Sequence, residues 1–274
     1  MKTPLRYPGG KTRGVKHILP YIPEDIPRLC SPFFGGGSLE LAVASRGTEV
    51  IGYDKMAPLV WFWQALCADN NHLADCVESL RSEYQVPIKD KKVITGHKNV
   101  IGCSKADFEL FRKHLKGSLI FSYEKAAKYY AINRSSFSGA TFSGGWSARA
   151  SYARFTDSSI QRLRDFKASN FRVDYADFGT SIPWHPRAFL YLDPPYMLEA
   201  SKNSLYGVDG DLHDTFDHEK LYNMLTKRSD WVMSYNDCKE IRDMYCDRKI
   251  VEAAWAYGMN KSKKSSEIII IGGH

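Results

Sequence analysis

Four consecutive residues carry the clearest chemical signal in the chain: Asp193, Pro194, Pro195 and Tyr196, directly after the apolar run 188–192. A short apolar run that stops at an acid and two prolines predicts a buried strand followed by a stiff turn. The turn presents a carboxylate, peptide carbonyls and an aromatic ring, without a serine or cysteine nucleophile. Such groups suit a flat ring that carries an amino group, because the oxygens accept its hydrogens while the tyrosine stacks on the ring.

A second motif supplies the elements that would place a ligand beside this turn. Residues 30–38 read C-S-P-F-F-G-G-G-S, followed by a helical pattern at 39–44 and a strand pattern at 49–54 that ends at Asp54. A glycine-rich turn, a helix, a strand and a terminal acid form half of a nucleoside-binding βαβ unit. Many glycine-rich turns bind nothing, so the spacing to Asp54, whose carboxylate can accept from ribose hydroxyls, is what favours a ligand site.

The order of the motifs identifies a family resemblance. The segment Tyr7-Pro8-Gly9-Gly10-Lys11 precedes the glycine-rich turn, and the Asp-Pro-Pro-Tyr motif follows a long intervening segment. In this order the chain resembles the adenine-specific (N6) DNA methyltransferases of the Dam-like, or D12, class, the type II α-group, from residue 5 to its end. The resemblance implies S-adenosyl-L-methionine as cofactor and, as substrate, a flipped-out adenine in a short duplex sequence.

The resemblance also implies which residues form the site. The catalytic set is Asp193, Pro194, Pro195 and Tyr196. The cofactor-binding set is Tyr7, Gly9, Gly10, Lys11, Phe33, Phe34, Gly35, Gly37, Asp54, Asp177, Phe178 and Asp193. No metal site is implied.

Individual roles follow from the same resemblance. The Tyr7 ring is expected near the cofactor adenine, and the Lys11 ammonium near the reacting atoms. Asp54 is expected at the ribose, and Asp177 with Phe178 beside the adenine; Phe33, Gly35 and Gly37 would line the methionine part. One departure is Ser31, where the family often has an acid. A serine can hydrogen-bond but cannot neutralise the cofactor's amino group.

The segment between the two halves of the catalytic motifs is strongly basic. Residues 81–164 contain 16 Lys and Arg against 6 Asp and Glu, a net of +10, whereas the rest of the chain has 22 against 25. Phosphate contacts supply most non-specific DNA affinity, so this distribution favours a DNA-binding surface in the insertion, although a solvated lysine-rich face has a similar composition. Helices are predicted over 105–115, capped by Ser104, and over 123–132.

Residues 133–146 change abruptly to Gly, Ser and aromatic residues without helical period, which predicts a hairpin or mobile loop. In the family, a segment beginning at a similar Asn-Arg reads DNA. The resemblance therefore assigns DNA binding to Asn133, Arg134, Phe137, Ser138, Lys261 and Lys263, with Phe137 as a wedge beside the flipped base. Relatives specific for GATC have an arginine where this chain has Thr141 and Phe142, so a GATC site is not assumed; core packing is the competing interpretation for Phe142 and Trp146.

The predicted fold is α/β: a doubly wound, Rossmann-like methyltransferase sheet with a mostly helical target-recognition insertion. Residues 1–66 and 167–274 are assigned to the catalytic domain and residues 67–166 to the DNA target-recognition domain. Strands are predicted over 188–192, 231–235 and 268–271, and a helix over 217–227.

Composition narrows the remaining possibilities. The chain has no run near the ~18 apolar residues of a membrane span, and no apolar signal core at its start. The six cysteines are scattered without a C-x-x-C pair, so neither zinc nor a disulfide framework is indicated. We expect a cytoplasmic protein in a bacterial, phage or viral host-cell context. A partner restriction endonuclease, the recognition sequence and the oligomeric state are left open.

Three alternatives stay open at this point. An RNA adenine or cytosine-N4 methyltransferase would share the fold, although the cytosine enzymes typically have Ser rather than Asp before Pro-Pro-Tyr. A catalytically silent DNA-binding protein would have no reason to keep Lys11, Asp54 and Asp193 together. A small-molecule methyltransferase would not need an insertion with a net charge of +10.

Overall fold

A computed structural model describes residues 2–83, 102–117, 120–167, 169–197, 216–255 and 265–273. Within these residues the chain forms a seven-stranded sheet in the order β3-β2-β1-β4-β5-β7-β6. The strands are β1 (Arg28–Ser31), β2 (Glu49–Asp54), β3 (Phe171–Tyr175), β4 (Phe189–Leu192), β5 (Trp231–Asn236), β6 (Lys249–Trp255) and β7 (Ser265–Ile271). The first five pair in parallel, and β7 is antiparallel to both of its neighbours.

The strands are apolar on both faces because helices cover both sides of the sheet. In β1, Leu29 belongs to one buried cluster and Cys30 to the other, and Val232 and Met233 of β5 divide in the same way. Continuous apolar strands are typical of parallel sheets covered on two sides. The predicted α/β class and Rossmann-like sheet are confirmed.

Eleven helices occur in the described residues. They are α1 (Val15–Ile18), α2 (Ser38–Ala44), α3 (Ala57–Ala68), α4 (Asn70–Glu83), α5 (Lys105–Leu115), α6 (Tyr123–Ser135), α7 (Ala148–Arg154), α8 (Asp157–Arg164), α9 (Phe178–Trp184), α10 (His218–Leu225) and α11 (Lys239–Met244). Helices α4 to α8 lie between β2 and β3 in the chain and make up the described part of the insertion. No described helix has the combination of length and apolar character that crossing a membrane requires.

The insertion packs directly against the catalytic half. The Phe62 ring of α3 stacks on Tyr130 of α6, with ring centroids 5.5 Å apart. Both rings lie in the larger buried cluster, which runs from the sheet into the helices of the insertion. The apolar core is thus continuous across residue 67, and the division into two domains stays a prediction.

The sequence order reverses between β1 and β4, which lie side by side at the centre of the sheet. One connection leads from β1 through α2 towards β2 and β3, and the other leads from β4 towards β5. At such a switch point the loops diverge and leave a crevice at the carboxyl ends of the strands. The loops that carry both predicted motifs open at this crevice.

Candidate active site

A cavity of about 260 Å³ occupies the crevice at the switch point. Three segments line it: the N-terminal turn with Tyr7 and Lys11, the glycine loop after β1, and the segment from Asp193 to Tyr196 after β4. Asp54 from the end of β2, the start of α9 and the segment at the start of α10 with Phe216 also line it. The motifs that are distant in the sequence therefore meet around one cavity.

The glycine loop is shaped by its close contact with Tyr7. Gly35 and Gly37 have φ values of +49° and +65°, a region that favours glycine. A Cβ atom on Gly35 would lie 2.9 Å from Cε1 of Tyr7, and one on Gly36 would lie 2.7 Å from Cβ of Tyr7. Glycine is required here because any side chain would displace the Tyr7 ring that borders the cavity.

Asp54 fixes the conformation of this loop. Its carboxylate accepts hydrogen bonds from the backbone N–H of Gly35 at 3.0 Å and of Met56 at 2.9 Å. Burial raises the pKa of Asp54 above its ordinary value, and the backbone donors oppose that rise. Asp54 thus links the end of β2 to the glycine loop while lining the cavity.

Phe34 packs beneath the loop. Its ring meets Trp63 edge-on at a centroid distance of 5.2 Å, and the Trp63 indole donates to the carbonyl of Gly35 at 3.1 Å. The side chain is almost fully buried. Phe34 supports the cavity wall from the core side.

Aromatic rings form one wall of the cavity. Phe33 contacts Phe178 and Phe216, with ring centroids 5.7 and 5.6 Å apart. Asp177 accepts from the N–H of Gly179 at 2.8 Å and caps α9, and its other oxygen lies 3.5 Å from Nζ of Lys55. An apolar wall of aromatic rings beside a carboxylate suits a planar ring that carries an amino group.

Lys11 also lines the cavity and is almost fully buried. Its Nζ is 2.8 Å from Oδ1 of Asp193 and donates to the Gly9 carbonyl at 3.2 Å. The Ser234 hydroxyl donates to the same Asp193 oxygen at 3.0 Å. The motif carboxylate is therefore held in place from two sides by groups on separate elements.

Tyr196 is fixed at both its ring and its hydroxyl. The ring stacks on Tyr235 at 5.7 Å with 23° between the planes. The hydroxyl accepts from Lys11 at 2.7 Å and donates to Oε1 of Glu267 at 2.8 Å. Glu267 on β7 is 2 % exposed, and burial raises its pKa to about 7.

A carboxyl group from another position in the chain contacts Ser31. The Ser31 hydroxyl donates to Oε1 of Glu40 at 2.7 Å, and both side chains are buried. Glu40, in the first turn of α2, lines the cavity, and burial raises its pKa to about 8. The carboxylate that is missing from position 31 is thus present nine residues later.

Of the predicted hairpin or loop over 133–146, residues 133–135 instead continue α6, and residues 136–146 form a compact loop closed at its base. An antiparallel bridge joins Ser136 to Trp146, and the Phe137 N–H donates to the Gly145 carbonyl at 3.0 Å. Phe137 is 65 % exposed at the loop surface, whereas Phe142 is buried. Trp146 is partly buried and packs against the larger cluster. The core-packing interpretation of these last two residues fits this arrangement.

Asn133 and Arg134 belong to the last turn of α6 and are both buried. The Asn133 amide donates to the Arg6 carbonyl at 2.7 Å and accepts from the Arg6 N–H at 3.1 Å. Arg134 donates to the Arg154 carbonyl at 2.8 Å. In this arrangement they anchor the loop to the N-terminal segment, and their predicted direct contact with DNA stays a prediction.

Apart from Asn133 and Arg134 in α6, the predicted site residues divide into three groups by position. Most of them line the cavity; these are Tyr7, Gly10, Lys11, Phe33, Phe34, Gly35, Gly37, Asp54, Asp177, Phe178, Asp193, Pro194, Pro195 and Tyr196. Gly9 contacts the site through its carbonyl, and Ser138 lies in the loop beside Phe137. Lys261 and Lys263 lie outside the described residues.

Sequence reasoning missed Glu40, Ser234 and Glu267. Glu40 follows the glycine motif closely enough that its helical position could have indicated it. Ser234 lies between apolar residues of β5, where a polar residue is the signal that could have drawn attention to it, whereas Glu267 follows two serines in β7 and carries no such signal.

Together the sheet order, the crevice at the switch point and the Asp-Pro-Pro-Tyr turn define a Rossmann-like α/β fold whose motif residues line one cavity. The family model of the D12 class N6 adenine-specific DNA methyltransferases matches residues 7–259. The chain belongs to this family of DNA-methylating enzymes. A comparison with curated proteins gives no match.

Proposed function

We propose that the protein transfers a methyl group from S-adenosyl-L-methionine to N6 of an adenine that is flipped out of a short duplex DNA sequence. The observation that carries the proposal is the meeting of Asp193, Lys11 and Tyr196 at one end of a cavity whose other walls are the glycine loop and the aromatic ring cluster. One end offers acceptors for an amino group, and the other offers a nucleoside pocket.

The cavity fits the proposed cofactor. Phe33, Phe178 and the carboxylate of Asp177 suit its adenine, and the buried carboxylate of Asp54 suits its ribose hydroxyls. Lys55 lies beside Asp177 and would tune the charge there. The glycine loop allows close approach of the methionine part, and Glu40 supplies a carboxylate for its amino group. When bound, the cofactor supplies an activated methyl group, so the protein needs no nucleophile of its own.

The protein's part in the reaction is to position the adenine amine and to accept hydrogen bonds from its two hydrogens. The lone pair of an adenine amine is delocalised into the ring, which makes the nitrogen a poor nucleophile. Asp193 and the Pro194 carbonyl accept its two hydrogens and favour a tetrahedral nitrogen, while Tyr196 stacks on the base. Positioning of this kind lowers a barrier by up to about 7–11 kcal/mol in ideal intramolecular cases.

The DNA side of the proposal is supported by the loop and by the basic insertion. Phe137 is exposed at the loop surface, as a residue that fills the gap left by a flipped base must be. Ser138 beside it, with φ of +57°, is the second loop residue that we assign to DNA. Asn133 and Arg134 would act from the base of the loop, and Lys261 and Lys263 would contact phosphate.

The proposal is tested by incubating the protein with labelled S-adenosyl-L-methionine and unmethylated duplex DNA, followed by mapping of the methylated base. We expect label on adenine within one short motif. Asp193→Asn should reduce transfer by about 10²-fold or more, since an amide NH₂ would face the substrate amine with donors. Asp174→Asn, which changes a half-exposed acid on β3 outside the cavity, is the matched control and should keep the wild-type rate.

Three outcomes would contradict the proposal. Label on RNA or on cytosine would replace the substrate, and near-normal activity of Asp193→Asn would remove the assigned mechanism. Cofactor binding without label on any nucleic acid would favour a silent DNA-binding role. Co-purification with an endonuclease that cuts the unmethylated motif would add a restriction partner.

A further inference from the structure

Glu267 is a buried carboxylate that the mechanism above does not use. It lies in β7, pairs in register with Asn236 of β5 and Ala253 of β6, and is 2 % exposed. One oxygen accepts from the Tyr196 hydroxyl, and the other, Oε2, is buried without a hydrogen-bond partner among the described residues. An unpaired buried carboxylate oxygen is costly, so its presence beside the reacting groups needs an explanation.

A continuous chain of short contacts connects Glu267 to the reacting end of the cavity. Oδ1 of Asp193 lies 2.8 Å from Nζ of Lys11, which donates to the Tyr196 hydroxyl at 2.7 Å. That hydroxyl donates to Oε1 of Glu267 at 2.8 Å. Lys11 and Tyr196 thus both donate in the direction of Glu267, which is the direction that a proton leaving the cavity would take.

Methylation of an amine requires a proton acceptor. The adenine amine begins with two N–H bonds, and the methylated product keeps one. The proton must therefore leave the nitrogen, and its first acceptor in the proposed site is the carboxylate of Asp193. Asp193 can serve the next substrate only after it has passed this proton on.

We propose that Glu267 is the internal proton acceptor of the site, reached from Asp193 through Lys11 and Tyr196. This inference rests on the proposed function. It assigns to β7 a role in the reaction that the sequence motifs do not indicate. It also accounts for the Oε2 atom, which has no hydrogen-bond partner in the described part of the chain and can hold the proton.

Every proton given up along this series of contacts is taken up by the next group. The N–H bond of the amine breaks with its electron pair left on nitrogen, and Asp193 takes the proton. Lys11 gives a proton to the Tyr196 oxygen as Tyr196 gives its own to Glu267, and the neutral Lys11 amine then takes the proton from Asp193. Asp193, Lys11 and Tyr196 finish as they began, and Glu267 has gained one proton.

The charges around Glu267 agree with this role. Burial, as the largest cause, and the Asp193 charge raise the pKa of Glu267 to about 7, while the Lys11 cation and the Tyr196 hydrogen bond oppose the rise. Among the described residues, Tyr191 of β4 also interacts with it. The facing residues of β5 and β6, Asn236 and Ala253, carry no charge. Glu267 thus binds and releases a proton near neutral pH.

The first test measures the single-turnover rate of methyl transfer against pH. Glu267 must be ionised to accept a proton. The wild-type rate should therefore rise with pH, with a midpoint near the Glu267 pKa of about 7. Glu267→Gln keeps the shape and the contact with Tyr196, and it should lose this rise and react about 10–10²-fold more slowly at pH 8. Tyr196→Phe keeps the ring but removes the hydroxyl that links Lys11 to Glu267, so its rate should likewise not rise with pH.

The double variant separates a relay from two independent roles. Once Tyr196→Phe has interrupted the hydrogen-bond relay, the additional loss of the Glu267 carboxylate should have no further effect. The double variant Tyr196→Phe, Glu267→Gln should therefore be no slower than the slower single variant. Glu252→Gln on β6, which changes an exposed acid, is the matched control and should retain the wild-type profile. Multiplicative losses, or a Glu267→Gln variant that keeps the pH-dependent rise, would overturn the proposal.

A second measurement does not depend on activity. Infrared difference spectra of the free protein, wild type minus Glu267→Gln, should contain the C=O band of a protonated carboxyl at pH 6 and lose it at pH 8. Absence of that band at pH 6 would overturn the proposal even if the wild type methylates DNA. Failure of the wild type to methylate adenine would instead contradict the proposed function, and the infrared titration would still report on Glu267.

Discussion

Lys11 is the residue through which the separate parts of the site are connected. Its buried ammonium contacts Asp193 and Tyr196 directly and lies 3.9 Å from Glu267. One cation is thus shared between two carboxylates, which leaves the cluster with a surplus negative charge in a buried position. A buried surplus charge favours uptake of a proton, and this is why the reacting end of the cavity can absorb the proton that the reaction releases.

The contact between Gly35 and Tyr7 gives a prediction for cofactor binding. Gly35→Ala places a Cβ 2.9 Å from the Tyr7 ring and should weaken S-adenosyl-L-methionine binding at least about tenfold, because a loss of 1.4 kcal/mol already has that effect. Titration calorimetry measures the change. Tyr7 must move for the variant to fold, and Tyr7 borders the proposed pocket.

Gly47→Ala is the matched control for this variant. Gly47 also has a positive φ, +97°, but its added Cβ would meet no atom within 4 Å. Both variants carry the strain of a left-handed alanine, about 1–2 kcal/mol, so both should melt at a lower temperature. Equal cofactor affinities in the two variants would contradict the assigned role of the glycine loop.

Sequence reasoning found the site residues that belong to local motifs and missed those that do not. Asp193 follows β4 and Asp54 ends β2, so their position at a sheet edge can be read from neighbouring residues. Glu267 lies 71 residues from Tyr196, and their hydrogen bond exists only because β7 inserts beside β5. A strand order of this kind is set by tertiary packing, which a local pattern does not contain.

Among the elements, helices whose sequence contains a capping motif were predicted best. The helix predicted over 105–115 is observed as α5, since Ser104 and Asp107 form a complete capping box. The helix predicted over 123–132 continues as α6 to Ser135. The additional turn is held by Asn133, whose partner Arg6 is 127 residues away, so nothing near the helix end could have indicated it.

The loop after α6 gives a prediction at this scale. Phe137→Ala should keep the fold, because the ring is exposed, and should slow methylation of a fully paired duplex by roughly 10–10²-fold. The reason is that the unstacking cost of base flipping, a few kcal/mol, is no longer partly offset by an inserted ring. A substrate with the target adenine in a mismatch should lose much less.

Base flipping in this variant can be followed by the fluorescence of 2-aminopurine placed at the target position. Phe121→Ala, which removes an exposed ring outside the loop, provides the comparison and should flip the base normally. An equal loss on paired and mismatched substrates would contradict the wedge role of Phe137 and would indicate a contact made after the base has left the stack.

At the scale of the whole molecule, charge and packing divide the chain differently. The net charge of +10 is confined to residues 81–164, yet the apolar core runs without interruption from the sheet into that segment. The basic residues are thus concentrated in this segment, while the apolar core of its described residues is shared with the sheet. DNA bound by the basic segment would therefore be held in a fixed relation to the cavity, as a reaction on a single flipped base requires.

This charge distribution predicts different salt responses for the two ligands. DNA affinity should fall steeply with salt, with a slope of log K against log[salt] of about −0.9 per phosphate contacted, whereas cofactor affinity should change little. Lys113→Gln, an exposed change on α5, should reduce the magnitude of the slope by about one unit. The adjacent Arg112 donates to the carbonyl of Phe142, so this part of α5 lies beside the loop. Lys227→Gln, an equal change in the catalytic half, should leave the slope unaltered, and equal effects of the two variants would show that DNA is not held preferentially by the insertion.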